Sequence, residues 1–415
     1  MVSDLKEIIS DSAKGMKRSA IRELLKLTQK PEIISFAGGL PAKETFPIAE
    51  LVTISKDVLE NDGTSALQYG STEGTPELLN VLVDRYNSQG LEITKDNLCI
   101  LTSSQQALDL VGKIFCNPGD KVIVGLPSYL GGLGAFTSYG AEPVGILHDE
   151  KGMRSDLLEK NIAELCAAGQ KPKFIYVIPD FQNPAGVTMP LDRRLEILAI
   201  AKKYEILIVE DSPYRELRFE GDFQPMLFEL DNKEGNVMTF GTFSKIFVPG
   251  FRIGWILGDP RIVDYFVKAK QNTDLCTSAF VQKIAAKYIE QGLFDKNLKS
   301  IIEMYREKKA VMIKAFNDFM PEGVTWTDPE GGLFLFMRLP EWMDAEDLFQ
   351  VAIKKNVAFV LGSVFHCDGS GKNTLRMNFS YVTKEQTVEG VERLADSIKE
   401  LMAAKAEKKC ACSCN

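Results

Sequence analysis

The sequence predicts an α/β fold, a large unit with a mainly parallel sheet between helices followed by a smaller α+β unit. Three observations predict it. First, short apolar runs recur over 97–258: "NLCILT" (97–102), "KVIVGL" (121–126), "EPVGIL" (142–147), "KFIYVI" (173–178), "ILIVED" (206–211), "NVMTFG" (236–241) and "RIGWILG" (252–258). Second, segments of helical periodicity such as 104–115 and 191–204 fall between them, after polar or glycine turns. Strands that are apolar almost throughout need cover on both faces, which a parallel sheet between helices provides. Third, the texture changes after about residue 260. Helical stretches 262–290 and 296–320 lead to "GGLFLFMRL" (331–339), a helix over 344–355, "VAFVLG" (357–362), "TLRMNFSY" (374–381) and a closing helix over 383–406.

In chain order, the first thirty residues carry an amphipathic helix, with Ile21, Leu24, Leu25 and Leu27 near helical spacing and Ser19 as its cap. "ISFAGGLPAKETFP" then reads as a loop rich in glycine and proline. The expected division is an N-terminal segment over 1–50 that joins the small unit, a large domain over 51–295 and a small C-terminal domain over 296–415. No internal repeat or long low-complexity linker interrupts this order.

Composition is that of an ordinary globular protein of 415 residues, 45% hydrophobic and 26% charged, enough chain to bury a shielded site. The net charge of −8 argues against a general nucleic-acid or anionic-membrane surface. No run approaches the ~18 apolar residues of a membrane span, and the acidic start "MVSDLKEIISDSAKGMKRS" does not resemble a signal peptide. The expectation is a cytoplasmic protein. Five cysteines (Cys99, Cys116, Cys166, Cys276, Cys367) lack metal-ligand spacing and read as reduced thiols. Cys410, Cys412 and Cys414 read as a disordered tail, a soft-metal site being the less favoured alternative. His148 and His366, the only two histidines, rule out a histidine-rich metal site and read as surface or packing residues. The chain contains no G-x-S-x-G elbow, no G-x-x-x-x-G-K-[ST] loop and, at "GGLGAF", no dinucleotide spacing. No metal is expected.

The chemistry gathers at the strand ends, where ligands of such sheets bind. "ILIV" ends in Glu210-Asp211, and a carboxylate there should face a cation. "KFIYVIPDFQNPAG" ends with Asn183 in a tight turn. "NLCILT" ends in Ser103-Ser104-Gln105, where serine caps a helix whose free N–H groups and dipole suit an anion. "TFGTFSKIFVPGFRIGW" (239–255) sets Lys245 among hydroxyls and apolar side chains, with Arg252 seven residues on. An ammonium in that company needs a partner or must give up its proton.

Asn183-Pro-x-Gly, Asp211-x-x-Tyr214, and Ser244-Lys245 followed by Gly250-x-Arg252-x-Gly254, in that order and separation, resemble the fold-type I aminotransferases that depend on pyridoxal phosphate (PLP). The likeness runs from "ISFAGGLP" to "TLRMNFSY". It is closest to the branch of alpha-aminoadipate, kynurenine and aromatic aminotransferases, through "SAIRELLKLTQKPEIISFAGGLP", "ALQYGSTEG", "SSQQALDLVGK" and "NVAFVLG". The resemblance implies that Lys245 holds the cofactor as a Schiff base and shuttles the Cα proton. It implies that Asp211 keeps the pyridine nitrogen protonated, that Tyr214 and Asn183 donate to the ring oxygen, and that Tyr129 stacks on the ring. Ser104, Gln105, Thr242, Ser244 and Arg252 would hold the phosphate, joined by Tyr69 from the partner subunit of a homodimer. Arg376 would grip the substrate α-carboxylate, Asn183 and Gly39 would line the substrate, and Arg22 would reach its distal carboxylate. Two departures stand out: Ser103 where many relatives have glycine, and Thr242 where serine is frequent.

Each residue alone has a plainer reading: Lys245 a surface lysine, Asp211 a helix cap, Arg252 and Arg376 surface ion pairs, Tyr69 and Tyr129 core aromatics, Arg22 a solvated arginine. Order and spacing favour the site. The function expected is transfer of the amino group of an L-amino acid (2-aminoadipate, aromatic or similar) to a 2-oxo acid such as 2-oxoglutarate. A PLP-dependent β-eliminating lyase acting on sulfur amino acids needs the same residues and stays open. The effector module of an aminotransferase-like transcription regulator is disfavoured, because only about thirty-five residues precede "SFAGGLP".

Overall fold

The structure, a computed structural model, describes residues 7–16, 18 and 30–413. The expected helix around Ile21–Leu27, and Arg22 with it, lies outside the described residues.

Fourteen strands are described: β1 (Ile34–Ser35), β2 (Leu98–Leu101), β3 (Lys121–Leu126), β4 (Glu142–Asp149), β5 (Gly152–Met153), β6 (Phe174–Val177), β7 (Leu207–Asp211), β8 (Val237–Thr242), β9 (Gly254–Leu257), β10 (Thr325–Trp326), β11 (Phe334–Arg338), β12 (Val357–Ala358), β13 (Val360–Leu361) and β14 (Thr374–Asn378). Eight of them form one sheet in the order β2-β9-β8-β7-β6-β3-β4-β5. Pairing is parallel from β8 through β7, β6 and β3 to β4. β9 runs antiparallel to both β8 and β2. Each of the seven apolar runs is a strand of this sheet, and β2, β6, β8 and β9 are buried at every position. That burial is why they read as continuous apolar segments rather than alternating ones.

The four strands β10-β11-β14-β13 form a small antiparallel sheet. The N-terminal segment is stitched to this unit: β1 pairs with β12 in parallel, and Asn378 N–H donates to the Phe36 carbonyl at 2.8 Å.

Some expected elements are corrected. The single stretch 262–290 is two helices, Pro260–Gln271 and Ala279–Glu290, separated by a turn in which Leu275 takes a φ of 66°. The run "VAFVLG" splits between two sheets as β12 and β13. The closing helix runs Lys384–Ser413, past the expected end at 406 and over Cys410 and Cys412 of the tail expected to be disordered, Cys414 lying outside the described residues. Its "AAKAEKKCA" stretch is rich in strong helix formers.

Candidate active site

The carboxyl ends of β2, β6, β7 and β8 face one edge of the large sheet, and the expected site residues converge there. Asp211 is the last residue of β7. Its Oδ2 accepts a hydrogen bond from the Tyr176 hydroxyl at 2.8 Å, while Oδ1 is buried with no partner. Burial pushes the carboxyl up to about 7, against the Tyr176 hydrogen bond, which pulls it down. Tyr214, past the following turn, is buried and accepts from the Asn183 side-chain amide at 3.2 Å. Arg376 on β14 is also buried. One of its terminal nitrogens donates to Asn183 Oδ1 at 2.9 Å and the other to the Ala37 carbonyl at 2.7 Å. Its guanidinium lies 4.2 Å from the Phe334 ring centroid and 5.1 Å from that of Phe365. Its Nε is buried and unpartnered, and burial lowers the guanidinium to about 10.

Lys245 follows β8, and its Nζ donates to the Gly39 carbonyl at 2.8 Å. Burial above all, then the charges of Arg376 and Arg252, push the amine down to about 8. The sequence therefore resolves the problem of an ammonium in apolar company by making it an easily deprotonated amine.

Three hydroxyls meet below it. Ser244 Oγ lies 3.0 Å from Thr242 Oγ1 and 3.1 Å from Ser103 Oγ. All three residues are buried. They stand at the start of the helix Ser103–Phe115, whose capping position is Thr102 and has no side-chain cap. The expected serine cap is thus corrected. The helix starts one residue earlier than expected, so the first-turn N–H groups of Ser104 and Gln105 have no partner within the helix. Gly254 backs this turn: a Cβ on it would fall 2.8 Å from the backbone of Ser103, Ser104 and Gly241. Only glycine lets the turn lie this close to β9. Arg252, at a φ of 54°, is exposed at the rim and donates to the Pro249 carbonyl at 3.3 Å. Tyr129 touches the same turn, its hydroxyl donating to Gln105 Oε1 at 3.4 Å.

The structure so gathers Lys245, Asp211, Tyr214, Asn183, Arg376, Gly39, Ser104, Gln105, Tyr129, Thr242, Ser244 and Arg252 at one sheet edge. Tyr69 is 79% exposed. Ser103, noted in the sequence only as a departure from glycine, adds a buried hydroxyl at a φ of 67° where a glycine would be unstrained. One residue, Tyr176, escapes the sequence reading. In the sequence Tyr176 is one aromatic within the apolar run of β6. Its signal is register: Tyr176 pairs with Val209, and Asp211 lies two residues further along β7 on the same face.

The chemistry of the donor set names a class. An amine low enough to attack a carbonyl, a carboxylate with one oxygen waiting for a base, and a helix start lined with hydroxyls suit one compact molecule. PLP combines aldehyde, pyridine nitrogen and phosphate, and the residues present fit it. The orphaned Asp211 oxygen and the turn against Gly254 are what a bare apolar cavity would not need.

The chain belongs to the family described as aminotransferase class I and II, which residues 31–394 match. It is a transaminase and its cofactor is PLP. It is 47% identical over 403 residues to aromatic-amino-acid aminotransferase 1 of Thermococcus litoralis, covering 96% of both chains. It is 39% identical to the 2-aminoadipate transaminase of Thermus thermophilus, over 96% of this chain and 98% of that one. A crystal structure of Pyrococcus horikoshii kynurenine aminotransferase in complex with PMP superposes with a TM-score of 0.92 at 45% identity, covering 96% of this chain and 98% of that one. Among the described residues no helix is long and apolar enough to cross a membrane, and no three metal-ligating side chains cluster.

Proposed function

We propose that this chain moves the amino group of an L-amino acid, with 2-aminoadipate and aromatic amino acids as first candidates, to a 2-oxo acid such as 2-oxoglutarate, with Lys245 as the amine that holds the cofactor. The observation that carries the reading is the conjunction of a half-buried amine held near 8 with a buried carboxylate that keeps one oxygen free. The substrate class is supported by the relatives above, whose names carry those activities.

The residues divide the work. PLP, when bound, supplies the electron sink that makes the substrate's Cα–H acidic. Asp211 would hold the ring nitrogen's proton through its free oxygen. Asn183 and Tyr214 would fix the ring's oxygen side, and Tyr129 would cover its face. Ser104, Gln105, Thr242, Ser244 and Arg252 would bind the phosphate through charge-assisted hydrogen bonds. Arg376 would hold the substrate carboxylate as a fork. It is already aimed by Asn183 and Ala37 and flanked by two phenyl rings, so little rotamer freedom is left to lose. Lys245, once displaced by the substrate amine, would take the Cα proton and return it at the other end of the conjugated system. Gly39, whose carbonyl holds Lys245 here, would lie along the substrate, and Arg22 would recognise the substrate's distal carboxylate.

The reading extends to assembly. The helix Ile48–Ala66 leaves Ile48, Val52 and Leu59 exposed along one face, and Leu67 and Tyr69 continue the patch. A second copy of the chain would cover it and carry its own Tyr69 to this phosphate site, making a homodimer. Residues 1–50, 51–295 and 296–415 would act as covering segment, PLP-binding domain and small domain, joined by the helix Leu293–Phe319 that runs through the second boundary. The free thiols of Cys99, Cys116, Cys166, Cys276 and Cys367 support a cytoplasmic setting.

A half-reaction screen tests the function. PLP-loaded protein meets single amino acids while the visible absorption of the lysine-bound cofactor is followed. Loss of that band with 2-aminoadipate or an aromatic amino acid, and its return with 2-oxoglutarate, is expected. Release of pyruvate and ammonia without an oxo acid would instead support elimination.

A further inference from the structure

We propose that Tyr176 is a positioning residue for the cofactor's ring nitrogen, acting through Asp211: its phenol ties one carboxylate oxygen and so fixes which oxygen is left free. This deepens the proposed function and rests on it.

The geometry is specific. Tyr176 Oη donates to Asp211 Oδ2 at 2.8 Å, and Oδ1 of the same carboxylate is the buried atom without a partner. A carboxylate with neither oxygen tied could rotate and present either one. With one held, the free lone pair has a fixed direction, which is what a short charge-assisted bond to a ring N–H needs. The phenol cannot swing away. Its ring meets Phe136 edge-on at 5.3 Å, and Gly132, one turn away on the same helix, packs so close that a Cβ there would lie 3.0 Å from the ring. The strand register brings the two residues together, since Tyr176 sits beside Val209 and reaches forward to Asp211.

Tyr176 also sets the carboxylate's charge. Burial alone drives Asp211 toward its neutral form, and a donated hydrogen bond is the force that opposes this. Burial and the nearby carboxylate push Tyr176 itself far up, so it stays a donor at any working pH. The other titratable groups felt by Tyr176 are Tyr129 and Tyr214, and those felt by Lys245 are Arg376 and Arg252.

The experiment uses full-length protein, PLP as the probe, and the variants Y176F, D211N and their combination. Two quantities are read: the PLP dissociation constant by equilibrium dialysis, and the pH midpoint of the bound cofactor's visible absorption. Y176F removes one oxygen and leaves the ring packing. It is expected to weaken PLP binding about tenfold. It should also raise the pH midpoint, because a more basic Asp211 takes a larger share of the ring-nitrogen proton and leaves the lysine nitrogen more basic. In the D211N background the same change should do nothing further. Tight wild-type binding with Y176F unchanged in both readouts would overturn the role of Tyr176 alone. So would a Y176F effect of equal size in the D211N background, which marks mere packing. A wild-type protein that binds no PLP would overturn the function and this inference together.

Discussion

Arg376 donates to the side-chain oxygen of Asn183 at 2.9 Å across 193 positions of sequence. The nitrogen of the same amide donates to Tyr214 at 3.2 Å, so Asn183 links the proposed carboxylate fork to the proposed ring-oxygen donor. Asn183→Ala removes both links and leaves a buried guanidinium short of one acceptor. The expected outcome is a fall in kcat/KM of about ten- to a hundredfold. The rise in KM for the amino acid should exceed the loss in kcat, as steady-state kinetics would record.

Asp211 predicts opposite effects on the cofactor-free and loaded protein. Its carboxyl is raised to about 7 when folded, so the folded state binds the proton more tightly than the unfolded one. That contribution to stability is complete below about pH 4 and is lost as pH rises toward 7. Asp211→Asn should therefore raise the unfolding free energy of cofactor-free protein at pH 8 by about 2 kcal/mol and flatten its pH dependence. The same variant should bind PLP more weakly. Urea titrations at several pH values, with and without PLP, check both signs.

Gly254 has no room for a side chain against the Ser103–Ser104 turn. Gly254→Ala is expected to push that turn off β9, costing about 1–3 kcal/mol of stability. Affinity for PLP should fall more than affinity for pyridoxal without its phosphate. Parallel dialysis with the two compounds checks this, because a general loss of fold would weaken both equally.

The exposed face of Ile48 and Val52 predicts assembly. Ile48→Glu combined with Val52→Glu should shift the protein from dimer to monomer in sedimentation velocity, since buried unpaired carboxylates oppose association. If Tyr69 serves the partner's site, PLP affinity falls together with the dimer fraction.

Much of this was legible in the sequence because burial leaves a plain mark. The strands that are buried throughout, from "NLCILT" to "RIGWILG", announced themselves by uninterrupted apolar side chains. Lys245, Asp211 and Asn183 stand out because polar groups in or just after such strands are costly without partners; Arg376, in the middle of β14, is marked only by the family resemblance. Pairing direction left no such mark: β9 is as apolar as β8, and nothing in its residues says that it runs antiparallel. Tyr176 hid for the same reason, as an aromatic in an apolar strand whose hydroxyl role depends on register with β7. The break between the helices ending at Gln271 and starting at Ala279 was missed because "NTDLCTS" contains neither glycine nor proline. Its turn is held instead by Lys270, Gln106 and Asp274, with Asp274 accepting from Lys270 at 2.8 Å and from Gln106 at 2.7 Å. Such a cluster exists only once the fold brings residue 106 to residue 274.

The central claim is that Lys245 carries the cofactor. Incubation with PLP, reduction with borohydride, proteolysis and peptide mass spectrometry test it most directly. The account predicts one phosphopyridoxyl group per chain on the peptide containing Lys245, and none in Lys245→Ala. Labelling at a different lysine, or a Lys245→Ala protein labelled to the same extent, would contradict it.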